Sequence, residues 1–418
     1  MRYSIVTFGC RVNQADSLRI EEDLRARGGE EASSAHADLV VVNTCSVTAT
    51  ADQGARQTIR RIARENPSAR IVATGCYATR CGDEIAALPN VVRVIRNDDK
   101  FEFLQDVAQA FSPAGGDGPC GKPIEPGIGG RTAFTLRVQT GCGERCSYCI
   151  IPSTRGGSRS VAAADVIREV HRVADAGFKE VVLTGVHLGS YGRDLDGASS
   201  LAALLRALDR VERDVRFRVS SLEPMDCSAE IVDLVARSGR FLPHFHLPLQ
   251  HASDRMLEAM HRPYTLDDYR RLVDAIRARM PHASIGSDMI VGFPGESDDD
   301  FARNLEYLPA SPLTHVHVFP YSDRPGTLAS SLPGKVHGAV VRERGLALRR
   351  IGAALTARFH ASQAGTVRPG LTLEDGTLVV TDNYLKVRVP PGLPRNARVR
   401  VRIEQTSASM SGVVVGAA

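Results

Sequence analysis

No run of about 18 apolar residues occurs anywhere in the 418-residue sequence, so a membrane-spanning helix is not expected. A charged-then-apolar leader is also missing, and a secretory signal is not expected. The nine cysteines are an odd number, scattered along a long chain. They lack the dense spacing of a small disulfide scaffold, which points to metal or catalytic use in a reducing, cytoplasmic compartment. Nor is there a second C-x2-C unit to match the single one present, so the paired pattern of zinc loops is not met. A structural zinc site, or cysteines close by chance, is the plainer alternative. The length predicts two to three domains with ample core.

What is there is Gly141-Cys142-Gly143-Glu144-Arg145-Cys146-Ser147-Tyr148-Cys149-Ile150-Ile151-Pro152, three cysteines spaced C-x3-C-x2-C after a strand-like run, Ala133 to Gln139. A cuboidal iron–sulfur cluster takes four thiolates. A loop offering three leaves one iron open, the arrangement needed to chelate the amino and carboxylate groups of S-adenosylmethionine (SAM). The segment resembles the radical SAM signature, with Tyr148 as the aromatic residue before the last cysteine.

Residues 1–111 alternate strands (Tyr3–Phe8, Asp38–Asn43, Arg70–Thr74, Val91–Ile95) with helices (Gln14–Arg27, Ala51–Arg64, around Asp83–Leu88, Lys100–Phe111). This order predicts a parallel α/β sheet. Cys10, Cys45 and Cys76 each follow the carboxyl end of one of its first three strands. Those ends share one edge, where ligands usually bind. Buried core cysteine is the ordinary fate of any one of them, but three at equivalent places predict a second, three-cysteine cluster. Cys81, Cys120 and Cys227 are read as non-ligands. Residues 112–130, rich in glycine and proline, read as a linker.

From 131 to 360 the β/α alternation resumes, with strands at Ala133–Gln139, Glu180–Thr184, Arg216–Ser220, His244–Leu249, Ser284–Val291 and His315–Phe319. Six units predict a partial (β/α) barrel with its chemistry at the carboxyl ends of the strands. The stretches there are Thr184–Gly189, Ser220–Pro224 and Gly292–Glu296. His187, His246 and His251 could be ordinary polar rim residues, and Glu223 and Glu296 could equally cap helices.

Charge is unevenly spread. The net +4 divides into −4 over residues 1–330 and +8 over residues 331–418, so a polyanion is expected at the basic end. Residues 331–360 read as a basic helix, and 361–418 as a small antiparallel β barrel. Tyr384 beside Lys386 and Arg388 would suit base stacking and phosphate contact, or could be a packing tyrosine.

Both cysteine triads, together with Arg155-Gly156, His246-Leu247-Pro248-Leu249-Gln250, Met260-His261-Arg262-Pro263-Tyr264-Thr265, Ile290–Glu296 and Tyr321-Ser322-Asp323-Arg324-Pro325-Gly326-Thr327, resemble the methylthiotransferases, radical SAM enzymes with two [4Fe-4S] clusters. Residues 361–418 look like their RNA-holding TRAM domain. His251 and His261 depart from the family's usual Ser and Asn. The resemblance implies that Cys142, Cys146 and Cys149 hold the cluster that cleaves SAM to a 5′-deoxyadenosyl radical. It implies that Cys10, Cys45 and Cys76 hold the cluster that supplies sulfur, with SAM as both radical source and methyl donor. Candidate SAM contacts are Tyr148, Thr184, Gly185, Ser220, Glu223, Gln250 and Glu296, and no catalytic residue stands out beyond the cluster ligands. Phe8-Gly9-Cys10-Arg11-Val12-Asn13-Gln14 is most similar to the branch acting on C2 of N6-threonylcarbamoyladenosine at position 37 of the tRNA anticodon loop. The isopentenyladenosine branch is second and the branch acting on an aspartate of a ribosomal protein third. Sulfur source, electron donor and oligomeric state are not legible.

Overall fold

The computed structural model describes residues 1–100, 124–127, 131–197, 199–405 and 410–418. Cys120, most of the 112–130 segment and all but the first residue of the Lys100–Phe111 helix lie outside the described residues.

The N-terminal strands β1 (Arg2–Thr7), β2 (Glu30–Glu31), β3 (Leu39–Thr44), β4 (Arg70–Gly75) and β5 (Val91–Ile95) form a parallel sheet in the order β2-β1-β3-β4-β5. The central strand β3 is buried over its whole length because both faces are covered. Leu39 and Val41 pack with Ile20 and Leu24 of the helix Arg11–Ala26. Val40 and Val42 pack with Ile59 and Ile62 of Ala49–Glu65 on the other face. Near Asp83 the chain makes two short helices, Cys76–Arg80 and Gly82–Ala86, so Cys76 itself opens a helix.

The central unit begins with β6 (Phe134–Arg137), after which β7 (Gln139–Thr140) and β8 (Arg159–Ser160) form a small antiparallel ribbon. β9 (Glu180–Thr184), β10 (Arg216–Val219), β11 (His244–His246), β12 (Ser284–Val291) and β13 (His315–Pro320) complete six parallel strands. They form sheets β6-β9-β10 and β11-β12-β13, joined by a parallel bridge from Phe217 to Phe241. The result is a six-strand partial barrel. β11 is shorter than the expected His244–Leu249: Pro248 has no N–H for a ladder, and Gln250 sits at φ 71°, turning the chain out of the strand. Outer helices are fixed at their starts by capping boxes, Thr265 with Asp268 and Ser297 with Asp300. The helix Gly338–Gln363 lies along β13, where a side chain at Gly352 would crowd the Val316 carbonyl.

The last strands, β14 (Val367–Leu373), β15 (Leu378–Thr381), β16 (Lys386–Arg388), β17 (Arg398–Gln405) and β18 (Met410–Ala417), close a barrel in the order β14-β15-β16-β18-β17. It is not wholly antiparallel. The chain passes through β17 before β18 returns beside β16, so β16 and β18 run parallel.

Candidate functional site

β1, β3 and β4 are neighbours, so the turns after them bring Cys10, Cys45 and Cys76 to one edge of the sheet. Cys10 caps the first helix, Cys45 directly follows β3, and Cys76 directly follows β4. Gly9, at φ 89°, makes this possible: a Cβ there would fall 2.5 Å from Cys45 Sγ. Burial pushes the Cys45 thiol up to about 12, with Cys10 and Cys76 adding to the rise and the Val47 N–H opposing it. Donors already point at these sulfurs. The Val47 N–H reaches Cys45 Sγ at 3.5 Å, Asn97 Nδ2 reaches Cys76 Sγ at 3.7 Å and Arg155 Nε reaches Cys76 Sγ at 3.3 Å.

The second triad lies on the loop between β7 and the short helix Ile151–Arg155. The loop is pinned by Cys142 N–H to Gly156 O (3.0 Å), Ser147 N–H to Met260 O (3.1 Å) and Ser147 Oγ to Ala259 O (2.8 Å). Burial raises the Cys149 thiol to about 12 and also raises Cys146, where Arg262 works in the opposite direction. Arg262 donates to Cys146 Sγ at 3.4 Å and to Tyr264 Oη at 3.0 Å, and it pairs with Glu223. His187 sits beside Cys142 with Nε2 2.7 Å from Asp226. Burial would lower it, but Asp226 and Cys142 together raise it to about 10.

A cavity of about 190 Å³ is lined by residues from both cysteine loops. Val47 and Thr48, from the loop carrying Cys45, form one wall; Tyr148, Gln250 and Tyr321 form another. The left-handed backbone of Gln250 is a strained conformation of the kind that clusters at ligand sites. A larger cleft, about 470 Å³, lies between the first helix and β6, and neither of those two loops lines it.

The remaining candidate contacts separate into groups. Glu223 is held beside Cys146 by Arg262. Thr184 and Ser220 end adjacent strands with their hydroxyls 3.3 Å apart, and Gly185 lies against Gln139, where a Cβ would meet Oε1 at 2.8 Å. Glu296 is a correction. Its side chain is fully buried, one oxygen 3.3 Å from His251 and the other bound to the Gly292 N–H and Arg344, so it braces the loop rather than facing a ligand. His251 is likewise internal, bonded to Asn304 and the Ser253 N–H. Tyr384 is 39% exposed but is not a free stacking platform: its ring lies against His244 and Arg218, and its hydroxyl accepts from Arg11. Sequence reasoning carried Arg155 and Arg262 only as members of motifs and gave neither a role. Their only signal was position, one six residues past the last cysteine and one inside the Met260–Thr265 motif.

Residues 136–308 match the Radical SAM superfamily, and residues 2–96 match an uncharacterized protein family, UPF0004. The threonylcarbamoyladenosine tRNA methylthiotransferase MtaB of Aquifex aeolicus is 36% identical over 399 residues, covering 93% of this chain and 96% of its own. The protein of the same name from Bacillus subtilis is 35% identical, covering 91% and 88%. The chain belongs to the radical SAM tRNA methylthiotransferases. A tRNA-2-methylthio-N(6)-dimethylallyladenosine synthase from Pelotomaculum thermopropionicum is 34% identical over 84% of this chain and 82% of its own. Among solved structures, the radical S-adenosylmethionine methyltransferase TsrM from Kitasatospora setae shares the fold at TM-score 0.56, with 17% identity, covering 79% of this chain and 76% of that one.

Membership in the radical SAM methylthiotransferases implies a [4Fe-4S] cluster and SAM, and the cysteine donors present fit the cluster. Cys142, Cys146 and Cys149 are three soft thiolate donors on one loop, with Arg262 donating to the Cys146 sulfur and the His187 ring beside Cys142. Among the described residues no helix is long and apolar enough to cross a membrane.

Proposed function

We propose that this methylthiotransferase adds a methylthio group to C2 of N6-threonylcarbamoyladenosine at position 37 of tRNA, using two clusters. The observation that carries the reading is the cavity shared by both cysteine loops. It puts a substrate within reach of Tyr148 and Gln250 on one side and of the Cys45 loop on the other. The names of the two relatives covering about nine-tenths of the chain support the choice of base.

When bound, a [4Fe-4S] cluster at Cys142, Cys146 and Cys149 supplies the electron for SAM cleavage, and a second at Cys10, Cys45 and Cys76 supplies sulfur. The protein's own part is placement and electrostatics. Arg262 and Arg155 bring fixed positive charge to one sulfur of each triad, and buried guanidinium groups do so without reorganising. Asp52 accepts from Ser46 (3.0 Å), Arg80 (2.5 Å) and Arg324 (2.6 Å), clamping the loop after Cys45 to the Tyr321–Thr327 segment that helps wall the cavity. Glu223, Thr184 and Ser220 supply polar groups on the radical-cluster side for the amino acid part of SAM.

Two measurements test this reading. Nucleoside mass spectrometry of total tRNA from cells lacking the gene should show loss of 2-methylthio-N6-threonylcarbamoyladenosine alone. Loss of the isopentenyl derivative instead would move the enzyme to the reading favoured by the Pelotomaculum relative. In the purified protein, Cys45→Ala should abolish thiomethylation while leaving some uncoupled formation of 5′-deoxyadenosine. Full thiomethylation by that variant would remove the second cluster from the mechanism.

A further inference from the structure

The inner wall of the central barrel carries a side-chain cluster that neither cysteine triad uses. On β11 and β12, Phe245, Ile285 and Met289 point outward into the helix-covered core. Strand alternation therefore turns His246, Gly286 and Asp288 inward. On β13 Val316 and Val318 pack against the same core, which leaves His315, His317 and Phe319 on the inner face.

Gly286 sits between two of these histidines, pairing laterally with His246 on one side and His315 on the other. A Cβ at Gly286 would come 2.0 Å from His315 Nε2, so the missing side chain is what lets this imidazole lean across toward His246. One nitrogen from each of His246, His315 and His317 lies within 4.8 Å of the others. His246 Nε2 is 3.0 Å from Asp288 Oδ1, which orients its ring. Asp288 and Phe319 also line the 190 Å³ cavity, so the imidazoles lie on the same strands as two of its lining residues. At the far end it is closed by His244, whose ring stacks on His315 and packs against Tyr384 of the terminal barrel.

Burial depresses His315 to about 4, with His246 and His317 pushing the same way, so this ring is neutral at pH 7; its Nδ1 is held by Thr314 Oγ1 at 3.0 Å, which leaves Nε2 to face the space. A substrate group that displaced water from these rings would cost free energy unless it paired with them. The occupant that fits this space is therefore polar.

We infer that His246, His315 and His317 form the surface that recognises the N6 substituent of the target adenosine, pairing with the ureido, hydroxyl and carboxylate groups of a threonylcarbamoyl chain. The inference rests on the proposed substrate and gives it a physical basis. An isopentenyl chain is hydrocarbon and would offer nothing to the ring nitrogens that Asp288 and Thr314 do not already hold. Sites built to hydrogen-bond a substrate reject analogues lacking the partner by up to about 10⁴–10⁵-fold.

The test is steady-state thiomethylation by the full-length, cluster-loaded enzyme on tRNA carrying threonylcarbamoyladenosine or isopentenyladenosine. His317 is exposed, so replacing it should not disturb folding. His317→Phe should raise KM for the threonylcarbamoyl tRNA at least ~10-fold with a smaller change in kcat, and His317→Gln should recover most of that loss. A fall in kcat alone, or unchanged KM in both variants, would overturn the inference while leaving the substrate reading intact. Wild-type enzyme that used only the isopentenyl tRNA would overturn both. The same three nitrogens could instead hold a divalent cation. One equivalent of zinc retained by wild-type protein and lost in His315→Gln would replace substrate recognition with a metal site.

Discussion

At the scale of single residues, two positions decide whether the cysteine loops can close. Gly9 takes a positive φ and leaves no room for a Cβ beside Cys45 Sγ. Gly9→Ala must therefore strain the backbone and displace Cys45 at once. We expect a loss of about 1–3 kcal/mol in folding stability from the backbone alone. Iron content should fall toward that of a single cluster, read by metal analysis of the reconstituted protein. Arg262 is the second position. Its guanidinium reaches Cys146, Glu223 and Tyr264 together, a fork that lysine cannot reproduce. Arg262→Lys should keep the charge, yet lower the rate of 5′-deoxyadenosine formation about 10–100-fold, the usual cost of removing a partner of a metal ligand. A rate within twofold of wild type would show that the charge alone suffices.

At the scale of elements, Asp16 shows how the first helix is tied to the barrel. Its carboxylate is buried and takes Lys100 at 3.0 Å, Arg137 at 2.5 Å and Arg155 at 3.2 Å. Burial alone would raise it, but the three cations hold it well below the usual carboxylate range. A depressed folded value contributes stability that is present above the unfolded pKa and is lost as pH falls toward the folded one. Acid should therefore loosen the N-terminal sheet from the barrel below about pH 4. Asp16→Asn should cost about 3–5 kcal/mol at neutral pH by leaving buried cations uncompensated, and should flatten the acid limb of a thermal-melt series. The elements themselves were largely legible in sequence. Strands buried on both faces, such as β3, read as continuous apolar runs, and each cysteine could be assigned to a strand end by counting. What sequence could not show was set by distant contacts. β11 ends early at a proline turn, β16 and β18 pair in parallel, and Glu296 turns inward to His251 and Arg344. The imidazole wall was invisible for the same reason: His246 and His315 are 69 positions apart in sequence and meet only because Gly286 between them has no side chain.

At the scale of the whole molecule, the three units share contacts around one site, and the charge excess at the C-terminal end has a definite location. Lys386 and Arg388 on β16 and Arg400 and Arg402 on β17 are all exposed, on strands that flank β18. Arg368 and Arg398 of the same barrel are instead paired with Asp382 and Asp214. The basic stripe is thus carried by exposed side chains, a surface whose charge suits a polyanion, while the paired arginines fasten the barrel to itself and to the core. Phosphate contacts of this kind act through counterion release, so their number appears as the slope of log affinity against log salt. Removing two of them, as Arg400→Gln with Arg402→Gln, should weaken tRNA binding and reduce that slope by about 2 for contacts to duplex, or somewhat less for single strands. The loss should be similar for tRNA with and without the N6 modification, because phosphate contacts position the substrate and carry no information about the base. Binding titrations at several salt concentrations would separate the two roles. An unchanged slope would move the tRNA off the terminal barrel and onto the basic helix Gly338–Gln363, whereas a loss confined to modified tRNA would mean that the barrel reads the base itself.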